Sequence, residues 1–233
     1  MLGLCRQQAI KMLSARYEVD DKLEAGVDEA GRGCFWGDMY AAAVIWPAEA
    51  DWTDEVKALV PQIRDSKKIS PKKRERICDA IMLHAVAYGV GTVSPAEIDE
   101  HGMTWANQTA FVRALDNLKT QPQRIIIDGI LSLPLGSVPS RATVHTVVEG
   151  DAQYLAIAAA SIVAKVSHDR WLQGIVDAEP DLDEKYGLRS CKGYGTAKHR
   201  AGIEVHGLHA AHRRRFIKGY KPGEACLVRL KST

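Results

Sequence analysis

The sequence predicts an α/β protein, a sheet of short strands with helices packed against it. Three observations carry that reading. Arg124-Ile125-Ile126-Ile127-Asp128 is apolar without alternation, the mark of an inner strand, usually parallel and covered by helices on each side. Val27 to Glu29 and Tyr40 to Trp46 read as strands joined by a short link, which favours an antiparallel pair. Between and after them, apolar residues recur at helical spacing.

Taken in order, residues 1 to 24 read as a helix, with Ala9, Met12, Leu13 and Tyr17 near helical spacing. Ala25 to Gly33 then carries two adjacent acids followed by Gly31-Arg32-Gly33. On a regular strand Asp28 and Glu29 point to opposite faces, so one site uses both only where the strand ends or bulges. The glycines permit a bend and a close backbone approach. Taken alone, the stretch reads better as a hairpin turn with two solvated acids. Tyr40 to Trp46 is stopped by Pro47, and Thr53 or Asp54 caps a short helix through Val60. Ser70-Pro71 opens a helix with Ile77, Ala80, Ile81 and His84 on its buried face, which leaves Asp65-Ser66-Lys67-Lys68 on the loop before it. Val86 to Val93 is a third strand. Ser94-Pro95-Ala96-Glu97 is a capping box opening one helix whose Met103, Ala106, Ala110, Ala114 and Leu118 form a stripe. After the fourth strand and Gly129, residues 131 to 141 are a Leu, Pro and Ser loop. Ala142 to Val148 is a fifth strand, followed by Glu149-Gly150-Asp151 and a long Ala-rich helix with Leu155, Ala159, Ile162 and Val166 on one stripe. Asp151 stands at that helix's entrance, as a cap or as a metal ligand.

Beyond Pro180 the chain turns basic and loop-rich, with a helix from Ala197 to His206 stopped by Gly207. We divide the chain into a body, residues 1–180, and a basic C-terminal region, residues 181–233. The net charge of +2 conceals a separation: residues 185–233 carry +10 and residues 1–184 carry −8. Within the acidic part, Arg64 to Arg76 is a basic cluster of +5. An acidic body with two basic patches fits a polyanion-binding protein with a metal-collecting centre. No apolar run reaches the length of a bilayer, and Met1 to Ile10 lacks a signal peptide's apolar core, so a cytoplasmic protein without membrane partners is expected. The five cysteines are widely spaced and read as reduced thiols. His199, His206, His209 and His212 match no zinc template, and no thiolate shares their cluster.

Asp28, Glu29, Asp128 and Asp151 all stand at strand ends or a helix entrance. Converging carboxylates repel unless they are protonated or bound to cations, and hard divalent ions are the natural counter-charge. A pair of such ions activates a water and stabilises the departing oxygen of a phosphodiester. The residues by themselves therefore reach a metal-dependent phosphodiesterase and no further.

Several blocks carry a resemblance. Asp28-Glu29-Ala30-Gly31-Arg32-Gly33, Asp65-Ser66-Lys67-Lys68-Ile69-Ser70 with Lys73-Arg74-Glu75, Ile127-Asp128-Gly129, Gly150-Asp151, Ala160 to Val166 with Asp169-Arg170, Gly193-Tyr194-Gly195-Thr196 with His199, and His212-Arg213-Arg214 with Phe216 resemble, in order, the motifs of ribonuclease HII. The resemblance implies an RNase H-like fold, a five-stranded mixed sheet flanked by helices, with a C-terminal helical region closing over substrate. It implies Mg²⁺- or Mn²⁺-dependent cleavage of RNA in RNA/DNA hybrids, and incision 5′ of single ribonucleotides in duplex DNA, leaving 3′-hydroxyl and 5′-phosphate ends. By motif match Asp28, Glu29, Asp128 and Asp151 become the catalytic, metal-binding carboxylates. Gly31, Arg32 and Gly33 with Tyr194 become readers of the ribose 2′-hydroxyl. Ser66, Lys67, Arg213 and Arg214 become phosphate contacts, and a monomer is expected. The chain departs from the family's usual Pro-Leu-Ala-Gly-Pro with Cys34-Phe35-Trp36-Gly37-Asp38, and has Ile130 where asparagine is usual. A junction resolvase-like nuclease and a non-catalytic nucleic-acid-binding protein are the competing readings. The first has no use for a Gly-Arg-Gly and Tyr194 pairing, and the second needs no metal.

Overall fold

Strands β1 (Glu24–Ala30), β2 (Met39–Ile45), β3 (Ala87–Val93), β4 (Arg124–Asp128) and β5 (Thr143–Val147) form one mixed sheet in the order β3-β2-β1-β4-β5. In the computed structural model residues 12–134, 136–137 and 142–217 are described. β1 pairs antiparallel with β2 and parallel with β4, and β4 pairs parallel with β5. The expected antiparallel link and the buried parallel β4 are both present. The 131–141 loop falls partly outside the described residues.

Helices cover both faces, as the apolar β4 requires. On one side α2 (Pro71–His84) and α5 (Leu155–Ala178) pack over Ala42, Val44 and Ile126, and α1 (Asp54–Leu59), capped by Thr53, joins them. On the other, α4 (Met103–Asp116) covers Ala25, Val27, Ala41, Ala43, Ile125 and Ile127. The first ten residues of α5 are all buried, and their alanines let the helix lie against β1 so closely that a Cβ at Gly26 would stand 2.2 Å from the Ala156 carbonyl carbon. Ser70 occupies the N-cap of α2 without a side-chain cap, and the buried face there is Arg74, Ile77, Cys78 and Ile81, with Ala80 and His84 at its margin.

Two expectations are corrected. The single helix after Ser94 is two, α3 (Pro95–His101) and α4, because Gly102 adopts a φ of 85° that breaks the run while the apolar stripe continues across it. The predicted N-terminal helix is absent from residues 12–24, and residues 1–11 lie outside the described residues. Instead Ser14 bridges Tyr154, and its carbonyl accepts the Leu155 N–H at the start of α5. The segment is gathered by Arg124, fully buried, which donates to Glu18, Asp20 and Glu24, while the Tyr17 N–H donates to the Glu24 carboxylate. Many long-range ionic bonds outweigh a weak local helical pattern.

After α5 come α6 (Asp181–Tyr186), α7 (Leu188–Cys191) and α8 (Ala197–His206). They share a small core, Leu182, Tyr186, Leu188 and Ile203, built on Leu172 and Val176 of α5 and on Trp36. Cys34, Cys78 and Cys191 are free and buried. Among the described residues no helix is long and apolar enough to cross a membrane.

The Arg124 cluster generates a stability prediction. Glu24 is 4% exposed, so Arg124→Met leaves a buried carboxylate unpaired and should cost roughly 3–5 kcal/mol in urea unfolding. Arg124→Met combined with Glu24→Leu should cost clearly less. Equal losses would show that the charge pairing is not what holds the segment.

Candidate active site

β1 contains no bulge: its pairing with β2 runs unbroken from Ala25↔Ile45 to Ala30↔Tyr40. On its other side the pairing with β4 stops at Val27↔Ile127. Asp28 therefore lies on the α5 face and Glu29 on the α4 face, but both stand beyond the point where β4 closes that edge. Asp128 ends β4 opposite Val147, and its Oδ1 accepts the Gly150 N–H at 2.7 Å, which ties it to the turn carrying Asp151. Asp151 sits in a 3-10 turn, Gly150–Ala152, and the N-cap of α5 is Tyr154, so the capping alternative is removed by position.

Asp128 lies within electrostatic reach of the other three acids. The Asp28 carboxyl is pushed well above the usual range by burial, then by Glu29 and Asp128. Glu29 is raised by burial and by Asp128, against the opposing Arg32, 3.7 Å away. Asp151 is raised by burial, Asp128 and Asp65. The Glu29 N–H donates to Asp28 Oδ1 at 2.7 Å, and Ser161 of α5 and Asn107 of α4, 2% exposed, stand near enough to Asp28 and Glu29 to favour their ionised forms. Four hard-oxygen carboxylates held in this way fit a divalent cation. As they are placed, no three His, Cys, Asp or Glu side chains among the described residues are grouped closely enough to hold a metal ion by themselves. Such a centre takes water and phosphate oxygens as its remaining ligands.

The loop before α2 brings Lys67 to the acids. Lys67 is exposed and lowers the proton affinity of both Glu29 and Asp151. Buried Arg74 holds the loop by donating to the Ser66 and Ile69 carbonyls at 2.7 Å, and approaches Asp169, which also accepts from Lys165. Arg74 thus leaves the expected solvated patch. Ser66 is also corrected: 4% exposed, its hydroxyl meets Ser161 Oγ at 3.1 Å, so its side chain supports Asp28 through Ser161 rather than facing phosphate.

Gly31 begins the next loop at a φ of +77°, and a Cβ there would lie 2.8 Å from the His168 ring. Gly33 has no such φ and would bring a Cβ only to 3.6 Å from the Tyr194 ring, so it is open space rather than backbone strain that glycine supplies there. Tyr194 is 42% exposed, outside the core, with its backbone bridged to Cys34. Arg214 is exposed, its N–H donating to Asp99. Arg213 contradicts the phosphate-contact expectation. It is fully buried and donates to the carbonyls of Gly31, Arg32 and Gly37.

The histidines form a relay instead of a metal site. The His209 N–H donates to His212 Nδ1, so His212 Nε2 carries the proton toward His199 Nε2 at 3.1 Å, and His199 Nδ1 faces Cys191 Sγ at 3.4 Å. Burial raises the Cys191 pKa, so it joins the cluster as a protonated thiol and not as a thiolate. Burial pushes both His199 and His212 down to about 4, so neutral imidazoles bond to one another.

Residues 25–218 match the family model Ribonuclease HII. A ribonuclease HII from Bacteroides fragilis is 42% identical over 197 residues, covering 84% of this chain and 90% of the relative. One from Synechococcus sp. is 43% identical over 205 residues, covering 86% and 96%. The chain belongs to the ribonuclease HII family. The fold agrees: ribonuclease H2 from Pyrococcus horikoshii superposes with a TM-score of 0.66 at 30% identity, covering 82% of this chain and 92% of that one. RNase HII of Archaeoglobus fulgidus, from its complex with PCNA, gives 0.64 at 25%, covering 83% and 93%. The chain is thus an endonuclease of the ribonuclease H class that acts on nucleic acid.

Residue-type reasoning missed Asn107 and the inward roles of Arg74 and Arg213. Asn107 had a visible signal, an amide between Ala106 and Ala110 on an otherwise apolar helix face. The two arginines sit inside basic runs and carry no local mark of burial.

The raised Asp28 carboxyl sets a pH dependence. Its folded pKa exceeds its unfolded value of about 4, so ionisation penalises the fold increasingly as pH rises from there through the folded pKa. In chelator, Asp28→Asn should melt higher than the parent at pH 8, by about 2–4 °C per kcal/mol recovered, with the gain vanishing near pH 3.5. A gain independent of pH would exclude charge as its cause.

Proposed function

We propose that this chain hydrolyses the RNA strand of RNA/DNA hybrids and incises 5′ of single ribonucleotides in duplex DNA, leaving 3′-hydroxyl and 5′-phosphate ends, with Mg²⁺ or Mn²⁺ as cofactor. The observation that carries the reading is the set of four carboxylates sharing the electrostatic field of Asp128 at a sheet edge beside the Gly31–Gly33 loop. Asp28, Glu29, Asp128 and Asp151 would hold the metal, which when bound supplies an activated water and charge stabilisation for the departing oxygen.

The remaining work falls to the chain itself. The Glu29 N–H holds Asp28 and the Gly150 N–H holds Asp128, while Ser161 and Asn107 favour the ionised forms of Asp28 and Glu29. Lys67 meets the phosphate backbone from the α2 side, and exposed Arg214 does so from the C-terminal side. Arg32 and Gly33 read the 2′-hydroxyl by backbone N–H, with the Tyr194 ring against the sugar. Residues 181–233 act as the substrate-binding region of a cytoplasmic monomer. Ser66 and Arg213, placed away from solvent, support these contacts from behind.

Labelled duplex DNA with one ribonucleotide, incubated with Mg²⁺, with Mn²⁺ and in chelator, tests the reading: metal-dependent incision on the 5′ side is expected, and binding without cleavage in any metal overturns it. Asp128→Asn and Asp151→Asn should each lower kcat on the order of 10²–10³, the loss typical of removing one stabiliser of developing charge. A fully active Asp151→Asn would take that residue out of the site. Lys67→Ala should weaken hybrid binding and reduce the slope of log K against log salt by about 1. An unchanged slope would return Lys67 to the solvated surface.

A further inference from the structure

Arg213 is a fully buried cation whose guanidinium hydrogen bonds all go to one loop. Its Nη1 donates to the carbonyls of Gly31 at 2.7 Å and Arg32 at 3.0 Å, its Nε to that of Gly37 at 2.8 Å, and its own N–H to that of Phe35 at 2.7 Å. Four carbonyls of residues 31–37 thus point toward Arg213. Most N–H groups of the same loop are also used: Cys34 donates to the Gly31 carbonyl, Phe35 and Trp36 to that of Gly193, and Gly37 to that of Ala211. Among the described residues the N–H groups of Arg32 and Gly33 have no acceptor, and both residues are exposed.

We propose that Arg213 is a positioning residue for ribose recognition: by binding the loop's carbonyls from behind, it fixes the peptide planes so that the Arg32 and Gly33 N–H groups face the substrate as donors. The inference rests on the reading that this loop meets the 2′-hydroxyl. Without the guanidinium, a peptide flip at Gly31 or Arg32 exchanges an outward N–H for an outward carbonyl. A glycine-flanked loop has little steric resistance to such a flip. The donors discriminate because a deoxyribose leaves them unpaired, a penalty that a hydroxyl acceptor removes. The planar fork matters as much as the charge, since an ammonium cannot reach carbonyls on both sides of the loop at once.

The test compares Arg213→Ala, Arg213→Lys and Gly33→Ala with the parent, in Mg²⁺, on a duplex with one ribonucleotide and on a long hybrid. Single-turnover rates, kcat and KM separately, and Tm are measured with and without millimolar guanidinium ion. Arg213→Ala is expected to lose roughly ten-fold more kcat/KM on the single-ribonucleotide duplex than on the hybrid, the scale of one hydrogen-bond donor left unpaired. Guanidinium should restore part of that selectivity in Arg213→Ala and none in Gly33→Ala. Equal losses on both substrates that track Tm, or guanidinium restoring Tm without selectivity, overturn the proposal. If Arg213→Ala does not fold, Arg213→Lys decides: a selectivity shift supports the role of the fork, and parental selectivity overturns it. If Gly33→Ala alone shifts selectivity, the loop reads ribose but Arg213 does not set it. If no variant shifts it, the reading of the loop itself fails.

Discussion

The parallel pairing of β1 with β4 is the constraint from which the site follows. Parallel strands end at the same edge, and open α/β sheets keep their ligands outside those ends. Here the pairing stops at Val27↔Ile127 while β2 continues alongside β1 to Ala30. One flank of β1 is therefore sealed and the other open for its last three residues. Only in that geometry do adjacent residues on opposite faces share a site, because Asp28 and Glu29 pass on either side of the missing neighbour. β5, parallel again, sets Val147 beside Asp128 and delivers Gly150 and Asp151 to the same edge.

Such an edge is expensive in the absence of cations, and the surrounding residues are arranged to bear it. Ser161 stands beside Asp28 and Asn107 beside Glu29, and each favours the ionised carboxylate. These residues come from the two helices on opposite faces, so the faces of the sheet are coupled through the acids. Ser161 reaches Asp28 because α5 lies so close to β1, and the closeness depends on its alanines and on Gly26. The small-residue composition of this helix is thus as much a requirement of the site as the acids are.

The sequence made the strands, the capping box at Ser94 and the four acids legible because each is announced locally, by an apolar run, by spacing or by charge at a strand end. Three features were not legible. Gly102 interrupts a helix whose apolar stripe is preserved across the break, so periodicity hides the interruption. The N-terminal segment obeys Arg124, which lies about a hundred positions away and is invisible to any local window. Arg74 and Arg213 each lie among other basic residues. Charge runs are ordinarily solvated, and nothing in such a run distinguishes the one guanidinium that turns inward to collect carbonyls.

That last difference has a consequence for residues 34–38, where this chain departs from the pattern it otherwise resembles. The loop takes its shape from behind rather than from its own composition. Gly193 accepts from Phe35 and Trp36, Ala211 accepts from Gly37, Trp36 bridges His212, and Arg213 binds the carbonyls. These partners are themselves steadied by the Cys191, His199 and His212 chain and by Trp36 packing against the second half of α5. All of these loop bonds use main-chain atoms of residues 31–37, so between Gly31 and Gly37, whose positive φ requires glycine, they do not depend on which side chains residues 34–36 carry. Side chains at 34–36 are then free to become Cys, Phe and Trp, provided that they fill the same space. Phe35 and Trp36 fill it by entering the C-terminal core. A recognition loop fixed through its backbone can change its sequence while keeping its donors in place, whereas the arginine that fixes it has no such freedom.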